Sequence, residues 1–326
     1  MSATVERPDW IGPDGQPMRR LELHLSYACP QHCWFCSEEQ RLREHREHTV
    51  TWGRIARTLR EHRERGVTSV HLTGGEPTIH PRFGDALALA RKLGMRTSVG
   101  TNGHTLCREE AARAALPLLD EVMFSLHGPT PEVHDEQTGA AGSFDRVCEA
   151  MRLCGRLAPK VERFCNVVVT RVNIDHLRAT VALAESLGAG LVLLSNPTPE
   201  GAAEARYGEL AVDFAGLDSK LGDAVRGALR AVVRFFGVPL CLLGEHAMLS
   251  NDLHWDPRVT VEWVSRPGKV VFEALYNWAP TRRRIHVGPC RDCAWKGLCP
   301  GVFDTAAKLW PHAALRPQRE AGGSGP

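Results

Sequence analysis

Between residues 20 and 240 short apolar runs alternate with longer amphipathic stretches, and this rhythm restricts the fold more than any other feature. The apolar runs, 21–27, 69–73, 96–100, 121–126, 161–170 and 190–195, are bounded by Gly, Pro, Asn or Thr, as strands are. Helical patterns fill the intervals. The stretch 51–65 opens at a Thr cap and ends at Gly66, 81–93 ends at Gly94, and 143–157 has Ser143 as N-cap. Two more, 175–187 and 217–236, end at Gly188 and Gly237. Six β/α units with short connections predict an α/β fold, its parallel sheet open or curled into a partial barrel. The run VPLCLL at 238–243 reads as one further strand, after which the alternation stops. The expected organisation is an N-terminal extension over 1–20, the barrel over 21–237, a second extension over 238–316 and a disordered tail over 317–326.

Composition excludes several classes of function. Hydrophobic residues at 43% and charged residues at 24% are ordinary globular values. A net charge of +2 gives no electrostatic reason for a nucleic-acid or membrane partner. No apolar stretch approaches the roughly 18 residues of a membrane span. The opening MSATVERPDWIGPDGQP lacks the apolar segment of a secretory signal, so a cytoplasmic location is expected. Six of the eleven cysteines form two tight groups, 29/33/36 and 290/293/299. In a reducing compartment such spacing points to metal or redox chemistry rather than disulfides.

The first group, Cys29-Pro-Gln-His-Cys33-Trp-Phe-Cys36, directly follows the first strand, where α/β barrels carry their chemistry. This spacing lets one loop wrap three thiolates around a corner of an iron–sulfur cube, leaving one iron without a protein ligand. Zinc completed by His32 is the competing reading.

These residues resemble the radical S-adenosylmethionine (SAM) superfamily, whose signature has an aromatic residue, here Phe35, before the last cysteine. Thr73-Gly74-Gly75-Glu76-Pro77 is similar to the family's Gly-Gly-Glu motif, which implies that backbone and Glu76 hold the ammonium of SAM. Thr101-Asn102-Gly103 resembles a further family turn. Ser125-Leu126-His127-Gly128 resembles the segment whose serine contacts the SAM carboxylate or ribose, with His127 in place of the usual Asp. His134-Asp135, Gln137 and Gly142-Ser143-Phe144-Asp145 continue the match, with Gln137 roughly at an arginine position. The region 166–170, with Val168, and Asn173 resemble the strand beneath the adenine. The resemblance spans about 20–200. It implies a (β/α)6-like partial barrel, a [4Fe–4S] cluster binding SAM, and an electron donor of flavodoxin or ferredoxin type. It further implies reductive cleavage of SAM to a 5′-deoxyadenosyl radical that abstracts a hydrogen atom, with the protein supplying orientation and excluding water.

The second group, Cys290-x2-Cys293-x5-Cys299, alone could be a zinc knuckle. Beside the first it looks like the auxiliary-cluster region of the SPASM and twitch subfamilies, which implies one auxiliary [4Fe–4S] cluster. Cys241 then has three readings: fourth ligand, hydrogen-atom donor to substrate, or buried thiol. Cysteines 107, 148, 154 and 165 read as core, and His45, His48 and His62 as solvated. His246, His254, Trp255 and Glu262 are substrate-site candidates, and the run Arg282-Arg283-Arg284 a solvated face or anion contact. About twenty residues precede the first strand, few for a leader-peptide domain. The expectation is therefore dehydrogenation or epimerisation of a small molecule, with a peptide maturase as first rival and a zinc-binding scaffold as second.

Overall fold

A computed structural model describes residues 8–12 and 14–319. In β1 (Arg20–Ser26), Leu21, Leu23 and Leu25 are buried and alternate with Glu22, His24 and Ser26. A period of two puts the leucines on one face of the sheet and the polar set on the other. A similar alternation of burial recurs in β2 (Ser69–Gly74), β4 (Glu121–Ser125), β5 (Glu162–Val168) and β6 (Leu191–Ser195), while β3 (Arg96–Thr101) buries Thr97, Ser98 and Val99 in succession. With β7 (Val232–Phe236) these strands pair in parallel, each beside its predecessor in sequence. On the far side of β1 lies β8 (Arg258–Arg266), also parallel, and antiparallel to it β9 (Lys269–Asn277). The sheet therefore has nine strands in the order β7-β6-β5-β4-β3-β2-β1-β8-β9, an unclosed α/β barrel with β7 and β9 as its edges.

Helices cover the outer face. Between β1 and β2 run α1 (Glu39–His45) and α2 (Trp52–Glu64), the latter capped by Thr51, which accepts from Arg54 N. Next come α3 (Phe83–Lys92), α4 (Glu109–Ala115), α5 (Pro131–Thr138), α6 (Ser143–Leu157) and α7 (Leu177–Ser186). After β6 follow α8 (Ala202–Ala205), α9 (Tyr207–Leu210) and α10 (Phe214–Val225). The C-terminal segment adds α11 (Leu240–Leu243), a ribbon of β10 (Arg284–Ile285) and β11 (Val302–Phe303), and α12 (Asp304–Leu309). Among the described residues no helix is long and apolar enough to cross a membrane, and all eleven cysteines are free.

Three sequence expectations change. The helix read over 217–236 stops at Val225, and Val232–Phe236 is instead β7. Glu185 Oε2 accepts from the backbone N–H groups of Leu229, Arg230 and Ala231, each at 2.9 Å, which turns the chain there. The run 238–243 is not a strand, because Pro239 has no N–H for a ladder and instead starts α11. The cap of α6 is supplied from outside: Asp135 accepts from Gly142 N, Phe144 N and Ser143 Oγ at 2.6–2.8 Å. Residues 320–326 of the expected tail lie outside the described residues, while the Gln318 carbonyl accepts from Ala294 N at 2.8 Å.

Candidate active site

The loop after β1 carries Cys29, Cys33 and Cys36 and is gripped by α5. His32 N–H donates to Thr138 O (2.9 Å) and Trp34 N–H to Gln137 O (3.1 Å). Gly139 ends α5 in the left-handed region (φ 60°), with the His32 carbonyl 3.0 Å from where a Cβ would stand. Burial raises the Cys29 thiol to about 11 and the Cys36 thiol to about 12. It lifts Cys33, which also feels Cys36 and Cys29, well above the ordinary thiol range. Three such thiols become thiolates together only beside strong positive charge, which metal supplies. A single ion does not match their spacing. Tetrahedral zinc sets its sulfur ligands about 3.8 Å apart, and these three sulfurs do not all lie within 4.8 Å of one another. Thiols spread around a larger body, facing a cavity, fit three corners of an iron–sulfur cube with the fourth iron exposed.

That cavity is lined by Phe35, Gly74, Gly75, Glu76, Asn102, Ser125 and Val168, all expected from the sequence. Pro77 is not among its walls; it is buried as the first residue of the 3-10 turn Pro77–Ile79. The two glycines are explained by close approach. Gly74 has φ 112°, and a Cβ there would collide with the Ser26 carbonyl; one on Gly75 would collide with that of Ala28. Gly75 N–H and Glu76 N–H donate to these same carbonyls at 2.6 and 2.9 Å, so the motif locks the thiol loop to β2. Glu76 is buried. Its Oε1 accepts from Thr78 N, Thr78 Oγ1 and Thr101 Oγ1, and its Oε2 from Asn102 N alone. Asn102 Nδ2 in turn donates to Cys29 Sγ at 3.6 Å.

A buried network that the sequence reading did not resolve lies behind Ser125 and Val168. His127 Nδ1 accepts from Val168 N (3.2 Å), which leaves the proton of the neutral ring on Nε2. The His127 carbonyl accepts from Gln137 Nε2 and Asn173 Nδ2, both at 2.8 Å, and His127 N–H donates to His134 Nδ1 at 3.0 Å. Phe35 packs edge-on against His127 at 4.6 Å. Burial, followed by the neighbouring His134, holds His127 well below the ordinary imidazole range, so the ring is neutral.

The polar residues of β1, β2 and β8 form the remaining wall, and sequence reasoning passed over most of them. Arg258 Nη1 donates to Glu22 Oε1 at 2.8 Å. Burial alone would raise Glu22, but Arg258, His71 and Arg20 outweigh it and hold the carboxyl at about 2. A second cavity, lined by His24, Glu38, Arg41, Trp255 and Glu262, adjoins the first. Trp255 and Glu262 thus meet the expectation of facing a cavity, while His246 and His254 line neither cavity. His45 and His62, expected in solvent, are buried at 2% and 5% exposure. The arginine run is a solvated face only at Arg282, which is 60% exposed and pairs with Glu200; Arg283 is half-buried and pairs with Asp304 and Glu204, and Arg284 is buried against Asp252.

Cys241 and Cys290, Cys293 and Cys299 line one small cavity walled by Pro239, Leu240, Val302 and Leu315. Burial raises the Cys241 thiol to about 11, and the charges of Cys299, Cys290 and Cys293 act on it in the same direction. Cys241 does not line the cavity at the first thiol loop. These four sulfurs do not gather at the spacing of a single ion either. Of the remaining cysteines, Cys148, Cys154 and Cys165 are buried and Cys107 packs against the core.

Comparison with known proteins agrees with this geometry. The PqqA peptide cyclase of Streptomyces rochei is 32% identical over 182 residues, 56% of this chain and 49% of that protein. The probable GTP 3′,8-cyclase of Saccharolobus islandicus is 29% identical over 203 residues, 60% of this chain and 62% of that protein. This chain spans about half the length of the peptide cyclase. Native anSMEcpe, solved with bound AdoMet and Cp18Cys peptide, superposes with a TM-score of 0.62 at 17% identity over 93% of each chain, and shares the fold. Residues 23–184 match the Radical SAM superfamily. With the three-thiol loop at the mouth of an unclosed barrel, the chain belongs to the radical SAM superfamily, whose members use a [4Fe–4S] cluster and SAM.

Proposed function

We propose that this chain is a peptide-modifying radical SAM enzyme that joins two residues of a ribosomally made peptide, in the cytoplasm, with a flavodoxin- or ferredoxin-type donor. One observation carries the reading: the cavity at the thiol loop continues outward as a groove. The inner cavity, about 450 Å³, shares Glu22, Ser37, Thr198, Phe236 and Arg258 with a second of about 230 Å³. The second shares Arg41, Glu200, Glu262, Leu275 and Arg282 with a third beside Trp263, Val264 and Ser265. A groove of that length suits an extended chain, whereas a metabolite needs only its inner end. The relatives named for peptide cyclisation agree. anSMEcpe, with which the chain shares 93% of each length, was solved with a peptide, so a short segment before the first strand is no argument against one. Peptide modification accordingly replaces the small-molecule expectation.

The bound cluster and SAM supply one-electron cleavage of the sulfonium and hydrogen-atom abstraction from an unactivated carbon. Cys29, Cys33 and Cys36 hold that cluster, and Asn102 steadies Cys29. Glu76 Oε2, with one protein donor, is the oxygen left for the SAM ammonium, beside Gly74 and Gly75. Phe35, Ser125 and Val168 bound the nucleoside end. Joining two residues removes two hydrogens: one leaves as an atom to the adenosyl fragment, the other as a proton and an electron. That electron needs an acceptor, and we assign Cys241, Cys290, Cys293 and Cys299 as ligands of one auxiliary [4Fe–4S] cluster within residues 238–316.

The test is anaerobic incubation of the reconstituted chain with SAM, a reductant and a panel of candidate short peptides. The expected product has lost two hydrogens, with equimolar 5′-deoxyadenosine. Solvent deuterium gained without mass loss would mean epimerisation instead. Turnover of GTP with no change in any peptide would overturn the reading in favour of a small molecule, the alternative that the similarity to the GTP cyclase supports. Cys241→Ala should lower iron from about eight to about four per chain and abolish product while SAM cleavage persists. Unchanged iron would remove Cys241 from the ligand set.

A further inference from the structure

Three ionisable side chains outside both cysteine groups converge on the second cavity. His24 comes from β1, Glu38 from the residue before α1, and Glu262 from β8. His24 Nδ1 stands 3.4 Å from Glu262 Oε2 and 3.7 Å from Glu38 Oε2, and the three ligand atoms all lie within 4.8 Å of one another. Among the described residues no other His, Cys, Asp and Glu side chains gather so closely. The His24 side chain is only 6% exposed, and neither its Nδ1 nor Glu38 Oε2 has a hydrogen-bond partner in the protein. Buried polar atoms are seldom left so, least of all facing one another.

Spacing and charge agree on the occupant. Zinc bonds of ~2.0–2.2 Å set tetrahedral ligand separations of roughly 3.3–3.6 Å, close to the 3.4 and 3.7 Å found here. Arg41 holds the opposite oxygens, its Nε 3.1 Å from Glu262 Oε1 and its Nη1 3.3 Å from Glu38 Oε1. It orients both carboxylates from behind, as outer-shell groups do at metal sites, and turns each Oε2 toward His24. One guanidinium faces two carboxylates in this partly buried site, and a cation held between the carboxylates completes the balance of charge.

We infer that His24, Glu38 and Glu262 bind one divalent transition-metal ion, distinct from both cysteine sites, with a coordination position open to the groove. All three residues and Arg41 line the second cavity, so that position would accept an oxygen or nitrogen of the molecule in the groove. The inference rests on these donors alone and stands whether or not the substrate is a peptide.

Zinc binding to the cluster-reconstituted full chain tests it, because the cysteine sites are then filled with iron. After exposure to Zn²⁺ and desalting, the protein should retain about one zinc per chain by elemental analysis. His24→Gln and Glu262→Gln should each bind at least ~10-fold more weakly, with iron and sulfide per chain unchanged. Glu38→Gln, at a partly exposed position, should do the same and provides the test should the buried variants not fold. A parent protein that retains no zinc overturns the inference. So does equal retention by parent and variants.

Discussion

The two cysteine groups differ in what holds them. The loop of Cys29, Cys33 and Cys36 is gripped by elements distant in sequence: Thr138 and Gln137 at the end of α5, Gly74 and Gly75 at the end of β2, and Asn102 after β3. The C-terminal group is held by its own turns, with Cys290 N–H donating to Val287 O, Cys293 N–H to Cys290 O and Cys299 N–H to Trp295 O, and by a few contacts from neighbouring segments, Ala294 N–H to Gln318 O and Arg284 to the Gly301 carbonyl among them. Local turns fix a backbone but do not bring Cys241 toward Cys290, so a metal there would serve as a cross-link for folding. The first group is a site the barrel builds; the second is a segment that a bound metal would help to build.

That contrast is easiest to break at Cys33. Cys33→Ala should reduce 5′-deoxyadenosine formation by at least ~10³-fold and remove about four irons, while the barrel melts within a few degrees of the parent. Retention of parental SAM cleavage would mean the first loop holds no SAM-binding cluster. Cys293→Ala should do the reverse, keeping SAM cleavage while amides over 286–301 exchange faster.

A smaller effect is expected at the joint between the regions. Arg284 donates to Asp252 Oδ2 at 3.1 Å and to the carbonyls of Gly237 and Gly301, and lies over Phe303 at 4.0 Å. Arg284→Ala strands a fully buried carboxylate and should cost about 3–5 kcal/mol, read as lower denaturant resistance and faster exchange across 238–316. Replacing Asp252 as well should recover part of the loss, because no uncompensated charge then remains. If the single variant leaves the C-terminal segment as protected as before, the segment does not depend on this anchor.

The first region was far more legible than the second, for physical reasons. A thiol loop is recognisable because its spacing is the chemistry, and Gly74 and Gly75 because no other residue tolerates the approach of the Ser26 and Ala28 carbonyls. The inner wall was equally written in the chain, as Glu22, His24 and Ser26 alternating with three leucines, yet polar residues in a strand read as solvent-facing until the sheet curls. The hairpin of β8 and β9 had its signal in Pro267-Gly268 between two alternating runs, with Gly268 at φ 75°. Its place beside β1 did not, because pairing across more than two hundred residues leaves no local mark. β7 was concealed because Val232–Phe236 continues an apolar pattern begun by α10, and only Glu185, distant in sequence, shows where the chain turns.

The smallest effect probes the support behind the first loop through pH. Burial holds the His134 imidazole down to about 4, against an ordinary value near 6.5. Its Nδ1 must stay unprotonated to accept from His127 N–H, and the two rings stack at 5.5 Å. Between pH 6.5 and 4 the unfolded chain therefore binds a proton that the folded chain refuses. The stabilisation is complete above the higher value and is lost as pH falls toward the lower, up to about 3 kcal/mol at ~1.4 kcal/mol per unit. His134→Gln keeps an acceptor but cannot take up that proton, so its stability should fall less steeply over the same range. Because Gln137 donates to the His127 carbonyl and its own carbonyl holds Trp34 N–H, the loss should appear first in the exchange of the Trp34 and His32 amides. The turns around Cys290 should follow only the intrinsic pH dependence of exchange. Equal responses in both loops would show that the first is no more tied to the barrel than the second.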